Sequence, residues 1–96
     1  MTFTLEQITN YVEGCIADMT GHIEHAKTIE DWTAERRYEW AEGCIEADRE
    51  RGFGALVFTE VYLRAIEEKD YKKLNNKLSD AYFEAKEKAR DEVLYK

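Results

Sequence analysis

The 96-residue chain has no proline, one serine and two cysteines, and its 14 bases are outnumbered by 21 acids. Average usage of about 5% would put roughly five prolines in this length. Their absence fits a chain made mostly of long helices, where an interior proline costs about 3 kcal/mol. No window approaches the roughly 18 uninterrupted apolar residues that a spanning helix needs, so no membrane segment is expected. The basic start and apolar block of a signal peptide are also missing. The expected location is therefore the cytoplasm, that of the host if a phage encodes the chain. A formal charge of −7 argues against direct contact with nucleic acid, because phosphates call for a basic footprint.

Catalytic signatures are lacking too. Gly52-Phe53-Gly54 is too short for a phosphate-cradling loop and lacks its strand–turn–helix setting. The lone serine, Ser79, sits in a polar helical stretch and not in a nucleophile motif. No enzyme activity and no cofactor are expected. Asp18, His22 and His25 fall on one side of a helix, with Cys15 and Cys44 as further donors of the right type. Their spacing matches no recognised ligand pattern, so no metal is expected.

What is present is helical periodicity. Residues 1–96 read as a single all-α domain, a compact bundle of about four helices. Thr4 and Gln7 form a capping-box pattern, followed by an apolar stripe from Leu5 through Ile8, Val12, Cys15, Met19 and Ile23 to Ala26. Thr28 or Thr33 caps a second helix with Ala34, Tyr38, Ala41 and Ile45 on its inner side. That helix is expected to stop near Gly52-Phe53-Gly54, the strongest breaker in the chain. Residues 55–66 are apolar nearly all round and read as a third helix, the buried centre of the domain, with a short strand at 55–59 as the alternative. Asp70 is the expected cap of a last helix, whose outer face mixes lysine and glutamate.

A short echo links the first two helices. Glu13-Gly-Cys-Ile16 recurs as Glu42-Gly-Cys-Ile45, each preceded by an aromatic, Tyr11 or Trp40. Mid-helix glycine costs about 1 kcal/mol against alanine, so the echo predicts that the helices cross near Gly14 and Gly43. Cys15 and Cys44 are expected to be buried near each other as small apolar groups. A disulfide is the less favoured alternative, since intracellular thiols stay reduced.

The charge imbalance has a location. Residues 1–52 carry twelve acids and five bases, a net of −7, and residues 53–96 carry nine of each. Glu35, Glu39, Glu42, Glu46 and Glu50 fall within an arc of about 80° on the second helix, over roughly 22 Å, and are expected opposite the core face. Like charges one turn apart cost a few tenths of a kcal/mol each. A row that forgoes neutralisation suits a basic partner surface, and carboxylates so spaced crudely imitate phosphates. Trp32 and Trp40 are candidate aromatic anchors beside it. The sequence thus points to a non-enzymatic inhibitor, of the kind phages and mobile elements use, that blocks a nucleic-acid-binding surface of a host protein. Two alternatives are a nucleotide-binding helical protein, using Arg36 and Arg37 beside the aromatics, and a self-assembling homo-oligomer.

Overall fold

A computed structural model describes residues 3–95, which form three long helices and no strand. Helix α1 spans Leu5–Lys27, α2 Ala34–Val57 and α3 Glu68–Ala89. Helices α2 and α3 each run on into one π-helical turn, Phe58–Tyr62 and Arg90–Leu94.

The starts follow the local chemistry. The Thr4 hydroxyl accepts from the Gln7 amide at 3.1 Å, and the Thr4 amide donates to Gln7 Oε1 at 2.9 Å, closing the capping box. Gly21 does not end α1; the Thr28 hydroxyl closes it by donating to the His25 carbonyl at 2.6 Å. Thr33, not Thr28, caps α2, its hydroxyl accepting from the Arg36 amide at 3.2 Å. Helix α3 begins at Glu67 without a side-chain cap, and Asp70, the expected cap, lies within its first turn, where its charge favours the helix dipole.

The expected break at Gly52-Phe53-Gly54 does not occur, which is why three helices stand where about four were expected. The inward stripe of α2 is Ala41, Ile45, Asp48, Gly52 and Leu56, spaced by three and four like any helical stripe. An acid and a glycine in its centre erase the apolar period without ending the helix. Gly52 is buried against the neighbouring helices: a Cβ there would lie 3.0 and 3.1 Å from the two Leu78 methyls and 3.6 Å from Cys15 Cβ. The residue thus permits close helix approach, and no glycine among the described residues has a positive φ.

The three helices run antiparallel from one to the next. Cys15 meets Gly52 and His22 meets Asp48 across α1 and α2, while Gly52 meets Leu78 and Glu46 meets Tyr82 across α2 and α3. Helices α1 and α3 are consequently parallel, bridged by Glu13–Lys77 and by Lys27–Glu92. One hydrophobic core runs along the axis, with Val12, Met19 and Ile23 of α1, Ile45 and Leu56 of α2, and Leu78 and Ala89 of α3 at its centre.

Two further expectations are corrected. Residues 55–66 are neither a strand nor a buried central helix; they are the end of α2, its π turn and the connection to α3, where Leu56, Thr59 and Ile66 are buried but Phe58, Val61 and Tyr62 face water. A Cβ placed on Gly14 or Gly43 would meet nothing within 4 Å, so the helices do not cross at the echo. Its cysteines differ as well: Cys15 is buried, Cys44 is partly exposed, and both are free thiols.

Candidate functional site

The acidic residues of α2 do not form one outward row. On an ideal helix the arc of the five glutamates is centred only about 120° from the inward stripe, so its near edge reaches α3. Glu42 and Glu46 are half-buried there. Glu42 accepts from the Tyr38 hydroxyl at 2.8 Å, Glu46 accepts from the Tyr82 hydroxyl, and Lys86 lies 3.9 and 3.7 Å from the two carboxylates. Glu35, Glu39 and Glu50 stay exposed and make no ion pair among the described residues.

The five bases of residues 1–52 are all engaged within the molecule. Lys27 pairs with Glu24 and Glu92. Arg36 lies over the Trp32 ring at 4.3 Å, and Arg49 over Tyr82 at 5.0 Å. Arg37 donates to the carbonyls of Ile29 and Glu30 at 2.5 and 3.1 Å, holding the α1–α2 connection. Arg51 bridges Asp18 at 2.7 Å and Asp48 at 3.2 Å. Six of the twelve acids, Glu6, Glu30, Asp31, Glu35, Glu39 and Glu50, are thus exposed without an ion pair among the described residues, while all five bases have a partner, Arg36 and Arg49 keeping their charge over aromatic rings.

Trp32 and Trp40 belong to one aromatic cluster at the start of α2. Their ring centroids are 6.5 Å apart, and Trp40 also meets His22 at 5.8 Å and His25 at 5.4 Å. Trp40 thereby seals the α1–α2 contact while keeping part of its surface in water. A nucleotide would need the Trp32 face that Arg36 covers and the guanidinium that Arg37 spends on the connection, so this geometry gives no support to the ligand-binding alternative.

Asp48 is the feature that sequence reasoning missed. It is 4% exposed on the core stripe of α2, and its carboxylate is bound by His22 Nδ1 at 2.7 Å and by Arg51. Its signal was present, an acid three residues after Ile45 and four before Gly52 at helical spacing. Among the described residues no three side chains of the metal-ligating types converge; Asp18 is turned to Arg51 and His22 to Asp48. Burial pushes the Cys15 thiol above its ordinary range, with Arg51 opposing, and burial followed by Asp48 does the same to Cys44. Neither thiol is an activated nucleophile at neutral pH.

No family model, curated protein or solved structure matches the chain. What the protein does is therefore argued from its surfaces.

The pairings of this region set its pH response. Tyr38 and Tyr82 titrate above the ordinary tyrosine range, first through burial and then through donation to Glu42 and Glu46. Lys27 is raised by its hydrogen bonds to Glu92 and Glu24. A group whose folded pKa is raised stabilises the fold below its unfolded pKa and loses that contribution as pH rises through the folded value. Stability is thus expected to fall from about pH 9, where an unfolded cysteine begins to ionise, and more steeply past pH 10 as the tyrosines follow. Urea unfolding at pH 7, 9 and 10.5 measures this, and a midpoint constant across that span contradicts it.

Proposed function

We propose that this is a non-enzymatic interaction protein that docks its α1–α2 face on a basic, nucleic-acid-binding surface of another protein and blocks it. One observation carries the reading: Glu6, Asp31, Glu35, Glu39 and Glu50 are exposed without an ion pair among the described residues, while every base of the same half is engaged internally. Unpaired negative charge displayed this way repels nucleic acid and attracts cationic surfaces over a distance of about one Debye length, ~8–10 Å in physiological salt. Glu35 and Glu39, one turn apart, set the outer edge of the contact, and Glu42 and Glu46 add charge along its inner margin.

The test is a triple substitution, Glu35→Lys, Glu39→Lys and Glu50→Lys, which leaves the Tyr38, Tyr82 and Lys86 contacts intact. Proteins captured from the source cells on the wild-type chain are identified by mass spectrometry, and their binding is measured against salt with and without competing duplex DNA. The expected partner releases nucleic acid when the wild-type chain binds. The triple variant should associate at least about ten-fold more slowly and with a shallower salt dependence. Equal affinity of variant and wild type, or simultaneous binding of DNA and protein, would overturn the proposal.

A further inference from the structure

The end of the molecule where α1 begins and α2 stops holds an open groove of about 400 Å³, lined by Phe3, Ile8, Tyr11, Ala55 and Phe58. Gln7 and Thr59 complete the lining, so no charged side chain contributes to it. On a chain with 21 acids and 14 bases, an uncharged concavity of this size is a departure from the rest of the surface.

Beside the groove the π-helical turn displays two aromatic rings. The Leu63 amide donates to the Phe58 carbonyl at 3.1 Å, and Thr59 turns inward, its hydroxyl donating to the Ala55 carbonyl at 2.7 Å. Phe58 and Tyr62 are left outward with centroids 5.7 Å apart. The chain then reverses at Arg64, whose φ of 50° is a left-handed value that a residue with a Cβ seldom adopts. Phe3 is 39% exposed, Tyr11 45%, Phe58 52% and Tyr62 72%. Together these leave about two whole aromatic side chains, roughly 300–500 Å², in water.

We propose that this end of the molecule is a self-association surface, on which two copies meet about a two-fold axis with Phe58 and Tyr62 of each seated in the groove of the other. Three observations select a second copy as the occupant. The same patch carries both a projection and a recess, which is the self-complementarity that an isologous contact requires. Each copy bears a charge of −7, and like-charged molecules approach most readily where no carboxylate lines the contact, as in this groove. A charged partner, by contrast, would find no charged side chain in the groove to recognise. The area also fits: burying the patch from both copies removes about 600–1,000 Å² of apolar surface. That is close to the apolar share of a standard interface of about 1,600 Å².

Sedimentation equilibrium of the full chain from about 10 μM to 1 mM tests this, a range spanning a dimer held by roughly 4–7 kcal/mol. The expected result is reversible dimerisation within that range. Phe58→Ser and Tyr62→Ser should each weaken the dimer at least about ten-fold, since centrally placed aromatics dominate such contacts. Phe83→Ser serves as the control, because Phe83 is similarly exposed but lies on α3. Circular dichroism confirms that each variant is folded. A wild-type chain that stays monomeric at about 1 mM overturns the proposal, and so does a dimer that Phe83→Ser weakens as much as the groove substitutions do.

Discussion

Replacing Gly52 with valine is expected to destabilise the fold by about 1–3 kcal/mol, and replacing Leu78 with alanine by about 2–5 kcal/mol. The two together should cost less than their sum. The reason lies in one contact: a Cβ on Gly52 meets the Leu78 methyls at 3.0 and 3.1 Å and Cys15 Cβ at 3.6 Å. Leu78 is fully buried, so its truncation leaves a cavity that the packed helices fill only in part. Valine at position 52 is an excess of volume at the same spot. In the double variant the added methyls enter the space the leucine vacated, and a favourable coupling of about 0.5–3 kcal/mol is expected. Alanine at position 52 is a weaker probe, because the about 1 kcal/mol that helix propensity returns offsets the tight contact. Urea denaturation with an unchanged m-value measures the cycle. Strict additivity would mean that α2 and α3 do not meet in this register.

The second large effect concerns Asp48. Removing both of its hydrogen-bond partners, His22→Ala with Arg51→Ala, is expected to cost about 3–5 kcal/mol, because the carboxylate stays buried with nothing to compensate it. Total stability for a chain of this length is roughly 5–14 kcal/mol, so the double variant should lie near the edge of folding. Either single substitution leaves one partner in place and should cost clearly less. Asp48→Leu removes the charge along with its need for partners, and replacing a buried ionic group with an apolar one of similar size is often close to neutral. Leucine at 48 should therefore be better tolerated than the loss of both partners, as thermal unfolding of the variants will record. The opposite order would show that the carboxylate is held by something other than His22 and Arg51.

Much of the fold was legible in the sequence. The capping box at Thr4, the apolar stripe of α1 from Ile8 to Ala26 and the lysine–glutamate face of α3 are local patterns that the structure follows, though Leu5, the expected first member of the stripe, faces water. The failures share a physical origin. Gly52 reads as a breaker because glycine is costly in a helix considered alone, yet here the missing side chain is filled by Leu78, which lies 26 residues further on. Asp48 reads as one more surface acid because what buries it, and the His22 ring that binds it, belong to α1. Glu42 and Glu46 were counted with the outward glutamates, although Tyr82 and Lys86 of α3 determine where their carboxylates rest. The aromatics after Gly54 looked like a core segment because their hydrophobicity was visible, whereas the π turn that directs Phe58 and Tyr62 into water was not. In the first three cases a single-helix argument met a contact between helices, and in the last a local turn that periodicity does not reveal.

The uneven distribution of charge has one more consequence. The imbalance of −7 belongs to residues 1–52, most of which build α1 and the larger part of α2, and the remainder of the chain is balanced. In a body measuring 46 × 22 × 17 Å, the imbalance is carried by α1, α2 and the connection between them, while α3 is nearly balanced. Charge distributed so unevenly gives the molecule an electric dipole. In the field of a cationic surface it experiences a torque as well as an attraction, and it rotates while still separated by water. On the proposed mode of docking, that rotation would turn the acidic half toward the partner before contact and shorten the search for the right orientation.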